Sequence, residues 1–273
     1  MGNADVEALA RELTWAYESG QMVAAPPSSR PGFDLDAAYA VEVKLKQWRE
    51  AAGQKAVGRK VGYANKAVWR ILKLETLVWG HMYDDTVHQS TGNEATLRLA
   101  HPRSLKIEPE VVFTLKQPIT SAGLDAAAVL AAVDSLAIGF EIIDCPYPEW
   151  KFQPSDFVAS FGLHAALIIG ERVPVRPEMI PKLVDELTKF KVRMLKNGEF
   201  VEEGSGKNAL RSPALCVAEL GAAIAKRFPH DPLSGSEIVS TGTLTAGHLT
   251  TAGDRWKVEV EGIELSPLSL MLV

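Results

Sequence analysis

The chain has 273 residues, of which 47 % are hydrophobic and 23 % charged, a composition typical of a globular protein. The formal net charge of −5 and the absence of a basic block give no electrostatic basis for binding nucleic acid. No apolar run reaches the length of a membrane span, and the two cysteines have no metal-type spacing. These features predict a cytoplasmic globular protein without nucleic-acid or membrane partners.

Local sequence patterns predict the elements in chain order. They are helices over 4–19 and 34–52, a short strand in 56–65, a helix over 66–74, a loop over 79–88, strand-like sequence from about Thr96 to Ile119, a helix over 125–136, strands over 137–143 and 162–173, a hairpin over 190–204 turned at Asn197-Gly198, a helix capped by Ser212, and short strands to the end. The second helix has Asp34 or Asp36 as its cap. Because helices come first and strands later, the order indicates an α+β fold. We expect an N-terminal helical segment with a short strand (residues 1–75) and a β-rich catalytic domain (residues 76–273).

The segment "KIEPEVVFTL" (residues 106–115) carries two acids in strand-like sequence. Side chains alternate along a strand, so Glu108 and Glu110 share one face, about 6–7 Å apart, and Ile107 lies on the other. A third acid, Glu141, lies in the very apolar "AIGFEII", where an unpaired charge is costly. Two alternatives remain: a solvated outer face for the E-x-E pair, and a buried ion pair for Glu141. Together the three acids predict an all-oxygen site for Mg²⁺ or Mn²⁺.

Three further segments hold candidate functional residues. Lys60 lies between two glycines in "GRKVGYAN", where it is either a surface lysine or a charge held over a pocket. His164 lies in an apolar strand, and is either a core histidine or a general acid or base. The segment "STGTLTAG" (residues 240–247) is either a turn or a rim of backbone N–H groups and hydroxyls that holds a carboxylate or carbonyl.

Four segments in this order, "GRKVGY", "IEPEVVF", "GFEIID" and "IVSTGTLT", resemble the fumarylacetoacetate hydrolase superfamily, in particular its branch of 2-keto-4-pentenoate hydratases and oxalocrotonate decarboxylases. The resemblance implies a mixed β-roll or barrel with surrounding helices, assembled as a homo-oligomer (a dimer or higher). It also implies that Glu108, Glu110 and Glu141 bind a divalent cation. Lys60 matches the family lysine, and Thr241, Gly242 and Thr243 match the turn that lines the substrate pocket.

The resemblance predicts a metal-dependent hydratase (a lyase) that adds water to a 2-oxo- or 2-hydroxy-alkenoate in the catabolism of aromatic compounds. Asp84, Asp85 and His164 are the candidate bases. The predicted catalytic residues are Lys60, Asp84 and His164. The alternatives are a decarboxylase or C–C hydrolase acting at the same site, and a non-catalytic metal-binding protein. The sequence departs from the hydratases at Ser160 and Phe161, where they carry Asp and Asn, and from the hydrolases near Ser155 and Asp156.

Overall fold

The computed structural model describes residues 2–273. The helices are α1 (Asn3–Ser19), α2 (Leu35–Ala51), α3 (Lys66–Leu72), α4 (Ala126–Ala131), α5 (Pro154–Ala159), α6 (Ile180–Lys189) and α7 (Pro213–Arg227). The strands are β1 (Ala56–Gly62), β2 (Val78–Tyr83), β3 (Val87–Gln89), β4 (Glu94–Leu97), β5 (Leu105–Leu115), β6 (Val133–Asp144), β7 (His164–Ile169), β8 (Val173–Pro174), β9 (Lys191–Lys196), β10 (Glu199–Ser205), β11 (Ile238–Thr243), β12 (His248–Thr250), β13 (Arg255–Glu261) and β14 (Leu268–Leu272).

Within these residues the strands form two sheets. The larger has the order β2-β1-β11-β5-β6-β7-β3, with β12 also beside β5 and β8 beside β6. The smaller has the order β10-β9-β13-β14-β4. The larger sheet curls into a half-barrel, so the predicted α+β fold, a mixed β-roll with helices around it, is confirmed.

The local signals account for several element ends. Asp34 caps α2, because its Oδ1 accepts a hydrogen bond of 2.9 Å from Ala37 N, and this settles the choice between the two aspartates. The hairpin of β9 and β10 turns at Asn197-Gly198 as predicted, and both residues have positive φ, as a tight two-residue turn requires. The helix after Ser212 begins at Pro213, but the Ser212 hydroxyl makes no capping hydrogen bond.

Two predicted elements were wrong, and one helix was not predicted. The predicted helix over 125–136 ends at Ala131, because β6 begins at Val133 and pairs with β5 along its length. The predicted loop over 79–88 contains the buried strand β2, which pairs with β1. Helix α5, which has Pro154 at its first position, lies between the predicted strands over 137–143 and 162–173, where no element was predicted.

The centre of the larger sheet brings four strands side by side: β1, β11, β5 and β6. Both faces of β5 and β6 are largely buried, so side chains on either face lie in the interior. Because β1 pairs with β11, the N-terminal third of the chain contributes directly to this sheet, while the division at residue 75 stays a prediction. Among residues 2–273, no helix combines the length and the apolar character that crossing a membrane requires.

Candidate metal and substrate site

Strand β5 places two carboxylates on one face. Ile107 and Val111, on the opposite face, are fully buried, so strand alternation turns Glu108 and Glu110 the other way, as predicted. Glu110 is completely buried and Glu108 is partly exposed. The alternative of a solvated outer face is therefore wrong for Glu110.

Glu141 on β6 completes a group of three carboxylates. The β5–β6 register sets Glu141 directly opposite Glu108. One carboxylate oxygen from each of Glu108, Glu110 and Glu141 lies within 4.8 Å of the others. Cross-strand pairing therefore assembles an all-oxygen cluster from residues that are distant in the chain.

Strand β11 fixes the orientation of the Glu110 carboxylate. Its Oε2 accepts a hydrogen bond of 2.9 Å from Gly242 N and a second one from the Ser240 hydroxyl. The strand register shifts between Ser240 and Thr243, where Gly242 has a φ of +91°, a value that favours glycine. The other oxygen of Glu110, Oε1, is buried and has no hydrogen-bond partner among the described residues.

Lys60 enters the cluster from β1. Its Nζ lies 3.0 Å from Glu141 Oε2 and donates a 3.0 Å hydrogen bond to Gly162 O. The same ammonium group lies 4.7 Å from the centroid of the Phe157 ring. Only 2 % of Lys60 is exposed, so the alternative of a surface lysine is wrong.

His164 supports the cluster from behind Glu141. Its Nδ1 lies 2.9 Å from Glu141 Oε1, and its Nε2 lies 3.1 Å from the Thr86 hydroxyl. Burial lowers the pKa of His164 despite the adjacent Glu141. Both ring nitrogens are therefore engaged, Nδ1 by the Glu141 carboxylate and Nε2 by the Thr86 hydroxyl, which itself donates to Tyr83 O.

The electrostatics of the cluster call for a cation. Burial raises the pKa of Glu108 to about 7, against the opposing effect of Lys60. Burial, together with repulsion from Glu141 and Glu108, raises the pKa of Glu110 well above its usual value. Burial alone would raise the pKa of Glu141, but Lys60 and His164 outweigh it and lower that pKa.

These residues fit a divalent cation. Three ionised carboxylates and one lysine carry a formal charge of −2, which a divalent ion neutralises. The unpartnered Oε1 of Glu110 is the kind of buried atom that a metal–oxygen bond would satisfy. Carboxylate oxygens are the ligands that Mg²⁺ and Mn²⁺ prefer.

A cavity of about 520 Å³ opens beside this cluster. Charged or polar lining residues include Lys60, Glu108, Lys106, Thr243 and Glu202, and aromatic ones include Phe157, Trp150 and Phe152. Gly247 also lines it, where a Cβ atom would lie only 2.7 Å from Glu108 Oε1. Glycine at position 247 therefore leaves the Glu108 carboxylate room in its present orientation.

The structure brings some predicted site residues together and leaves others apart. Gly242 and Thr243 line the cavity, but Thr241 does not, because its hydroxyl donates a 2.9 Å hydrogen bond to Val111 O in the interior. Asp84 is exposed and accepts a 2.9 Å hydrogen bond from Lys55 N, so its assignment to the catalytic group does not agree with its position.

Two more residues from the sequence analysis have partners outside the cluster. Asp85 pairs with Arg49 at 2.6 Å. Ser160, at a position where the sequence departs from the hydratases, exchanges a hydrogen bond with the Tyr147 hydroxyl.

Sequence reasoning missed Phe157, Gly162 and Gly247. Phe157 lies in α5, which was not predicted, and Gly162 lies in the turn after it, at the start of the predicted strand over 162–173. The carbonyl of Gly162 meets Lys60 across 102 residues of chain, a contact that no local pattern announces. The one available signal for Gly247 is its position at the end of the "STGTLTAG" segment.

The chain is similar in sequence to enzymes of two kinds. It is 33 % identical over 233 residues to the 4-oxalocrotonate decarboxylase of Pseudomonas sp. (strain CF600). The matched region covers 85 % of this chain and 84 % of that protein. It is 27 % identical over 258 residues to the 2-hydroxyhexa-2,4-dienoate hydratase of Comamonas testosteroni, with 94 % of each chain covered. No protein-family model matches the chain.

Solved structures agree with the sequence relatives. The 4-oxalocrotonate decarboxylase from Pseudomonas putida G7, complexed with magnesium and adipate, superposes with a TM-score of 0.89 at 27 % identity, over 100 % of this chain and 99 % of that chain. A putative fumarylacetoacetate isomerase/hydrolase from Oleispira antarctica has a TM-score of 0.56 at 14 % identity, over 80 % of this chain and 94 % of that chain, and shows the fold alone.

The curled sheet that carries the carboxylate cluster thus has the fumarylacetoacetate hydrolase fold. Within that superfamily, the chain belongs to the family of 2-keto-4-pentenoate hydratases and oxalocrotonate decarboxylases.

Proposed function

We propose that this protein is a divalent-metal-dependent lyase that acts on a small 2-oxo- or 2-hydroxy-alkenoate. The observation that carries the proposal is the convergence of three carboxylates, two of them completely buried, beside Lys60 at the edge of a cavity of about 520 Å³. Glu108, Glu110 and Glu141 would hold Mg²⁺ or Mn²⁺. Relatives named as hydratases and decarboxylases over most of the chain support the same reaction class.

The bound ion would act as a Lewis acid for negative charge on the 2-oxygen of the substrate. Lys60 is positioned to hydrogen-bond the same region, because its one hydrogen bond within the described residues goes to Gly162 O, and Glu141 is its ion-pair partner. Its charge would stabilise an anionic oxygen of the substrate. Thr243 and the backbone around Gly242 would contact the substrate from the β11 side.

Hydration is the first reaction that we propose. Water adds across the conjugated alkene, so one proton must leave the water and one must reach carbon. His164 lies behind Glu141 with both nitrogens engaged, and its role would be to orient that carboxylate. Glu108 is the carboxylate of the cluster that also lines the cavity.

Decarboxylation is the second candidate. The predicted bases Asp84 and Asp85 both have partners outside the cavity. Loss of CO₂ leaves its electron pair in the conjugated system and requires no base to activate water. The same cluster and Lys60 would stabilise the resulting anion. C–C hydrolysis, the remaining enzymatic alternative, shares this site, and a non-catalytic metal-binding role would not require Lys60 at the cavity.

Product identity separates these reactions. We would incubate the protein with 2-hydroxypenta-2,4-dienoate and with 4-oxalocrotonate, in Mg²⁺, in Mn²⁺ and in EDTA, and identify products by mass. Metal-dependent gain of one water supports hydration, and loss of CO₂ supports decarboxylation. Cleavage into two acids indicates a hydrolase. Unchanged turnover in EDTA, or full metal-dependent turnover by Glu108→Gln, would contradict the metal site.

The resemblance to this family also supports a cytoplasmic homo-oligomer, and sedimentation velocity would measure the oligomeric state.

A further inference from the structure

The cavity face of β5 carries another charged side chain, Lys106. Lys106, Glu108 and Glu110 alternate with Ile107 and Pro109, so they share a face at intervals of about 6–7 Å. Lys106 and Glu108 are partly exposed, whereas Glu110 is completely buried. Lys106 therefore lies at the outer end of a row whose inner end is the carboxylate cluster.

Lys106 has no carboxylate partner within the part of the chain that the structure describes: none lies within 4.0 Å of its Nζ. The ammonium group lies 4.1 Å from the centroid of the Trp150 ring instead. That ring is fixed by a 2.8 Å hydrogen bond from Trp150 Nε1 to the Ser104 hydroxyl. Lys60, the other lysine of the cavity, is paired with Glu141. Lys106 is thus held in place by an aromatic face and keeps its N–H donors for an anion.

The remaining acid of the cavity wall is already engaged. Glu202 Oε2 lies 2.7 Å from His248 Nε2 and accepts a 3.0 Å hydrogen bond from Ala246 N. Glu108 belongs to the carboxylate cluster and would be bound to the cation. An anion for Lys106 must therefore come from a ligand.

We propose that Lys106 binds a second carboxylate at the far end of the substrate, so that this protein acts on 2-oxo dicarboxylates in preference to monocarboxylates. The proposal rests on the proposed function, because it requires the 2-oxo acid end of the substrate to lie at the carboxylate cluster. A chain that extends from there along β5 passes Glu108 and meets Lys106 next. A terminal carboxylate there gains a charge-assisted hydrogen bond, whereas a terminal methyl group leaves the ammonium group with the aromatic ring alone.

The test compares two unreactive ligands of equal chain length, 2-oxoadipate and 2-oxohexanoate, which differ in the terminal carboxylate. Calorimetry on the Mg²⁺-loaded protein should show at least about tenfold tighter binding of 2-oxoadipate, the order expected for one charge-assisted hydrogen bond. Lys106→Met should reduce this ratio to within about twofold and leave the affinity for 2-oxohexanoate unchanged. Lys66→Met is a matched control: Lys66 lies 5.3 Å from the Trp69 ring centroid but outside this cavity, so its loss should not change the ratio.

The outcomes separate this inference from the proposed function. Equal, metal-dependent binding of both ligands to the unaltered protein overturns the role of Lys106 and leaves the proposed function standing. An equal loss of affinity for both ligands in Lys106→Met also overturns it, because Lys106 would then act on the shared 2-oxo acid end. If neither ligand binds in Mg²⁺, both proposals fail.

Discussion

The carboxylate cluster should make the stability of the metal-free protein fall as pH rises from about 4.5 to 7. The pKa of Glu108 is raised to about 7 in the folded chain from an ordinary value of 4.5. Between these values the folded state holds a proton that the unfolded state has released. A group with a raised folded pKa stabilises the protein fully below its unfolded pKa and loses this contribution as pH rises through the folded pKa. The raised pKa of Glu110 acts in the same direction.

The size of the effect follows from the pKa difference. A rise from 4.5 to about 7 corresponds to about 3 kcal/mol in the free energy of unfolding. Glu108 is partly exposed, and solvent screening reduces this value, so we expect about 2 kcal/mol from this residue. The lowered pKa of His164 opposes the trend near pH 6.5, so the total slope does not isolate Glu108.

The assay is urea unfolding in EDTA at several pH values between 5 and 8, with Glu108→Gln as the matched variant. The amide resembles the protonated acid and cannot ionise, so the stability of the variant relative to the unaltered protein should increase by about 2 kcal/mol across this range. Saturating Mg²⁺ should remove the fall in stability with pH in the unaltered protein, because the ion takes the place of the protons. A stability difference that stays constant with pH, in EDTA, would refute the reasoning.

Three further outcomes follow from the site. Gly247→Ala should weaken Mg²⁺ binding about tenfold with little loss of stability, because the new Cβ would lie 2.7 Å from Glu108 Oε1. An Mg²⁺ affinity that calorimetry finds unchanged in this variant would contradict the prediction. Lys60→Met should lower kcat by at least about a hundredfold while Mg²⁺ still binds, since the lysine supplies charge to the substrate and not a metal bond; loss of Mg²⁺ binding would instead indicate collapse of the cluster. Asp84→Asn should leave kcat/KM within about twofold, because Asp84 is exposed and bonded to Lys55 N; a large loss would restore it as a catalytic group.

The sequence predicted the shared face of Glu108 and Glu110 because strand alternation is a local rule. It also singled out Glu141, since an acid within "AIGFEII" requires a partner. It could not supply the register that sets Glu141 opposite Glu108, because the chain between β5 and β6 contains α4 and no tight turn that would fix the pairing.

Other features could not be read from local patterns at all. Strand β2 was taken for a loop because Gly80 and the two aspartates after Tyr83 suggest a break, although β1 pairs with the whole of β2. The contact between Lys60 and Gly162 depends on a turn in which Phe161, Gly162 and Leu163 all have positive φ. Two of these residues are not glycine, so their propensities give no hint of this conformation.

The site draws its residues from four adjacent strands, and this has a consequence for how the chain acquires its metal. Ser240 bonds to Glu110 across 130 residues, and Lys60 reaches Gly162 across 102. Contacts of such high sequence separation form only when much of the sheet is already assembled. The ion should therefore bind after the rate-limiting step of folding: added Mg²⁺ should slow unfolding and leave the refolding rate nearly unchanged, in contrast to small domains whose folding begins around a metal. Stopped-flow refolding that accelerates strongly with Mg²⁺ would show that the cluster forms early.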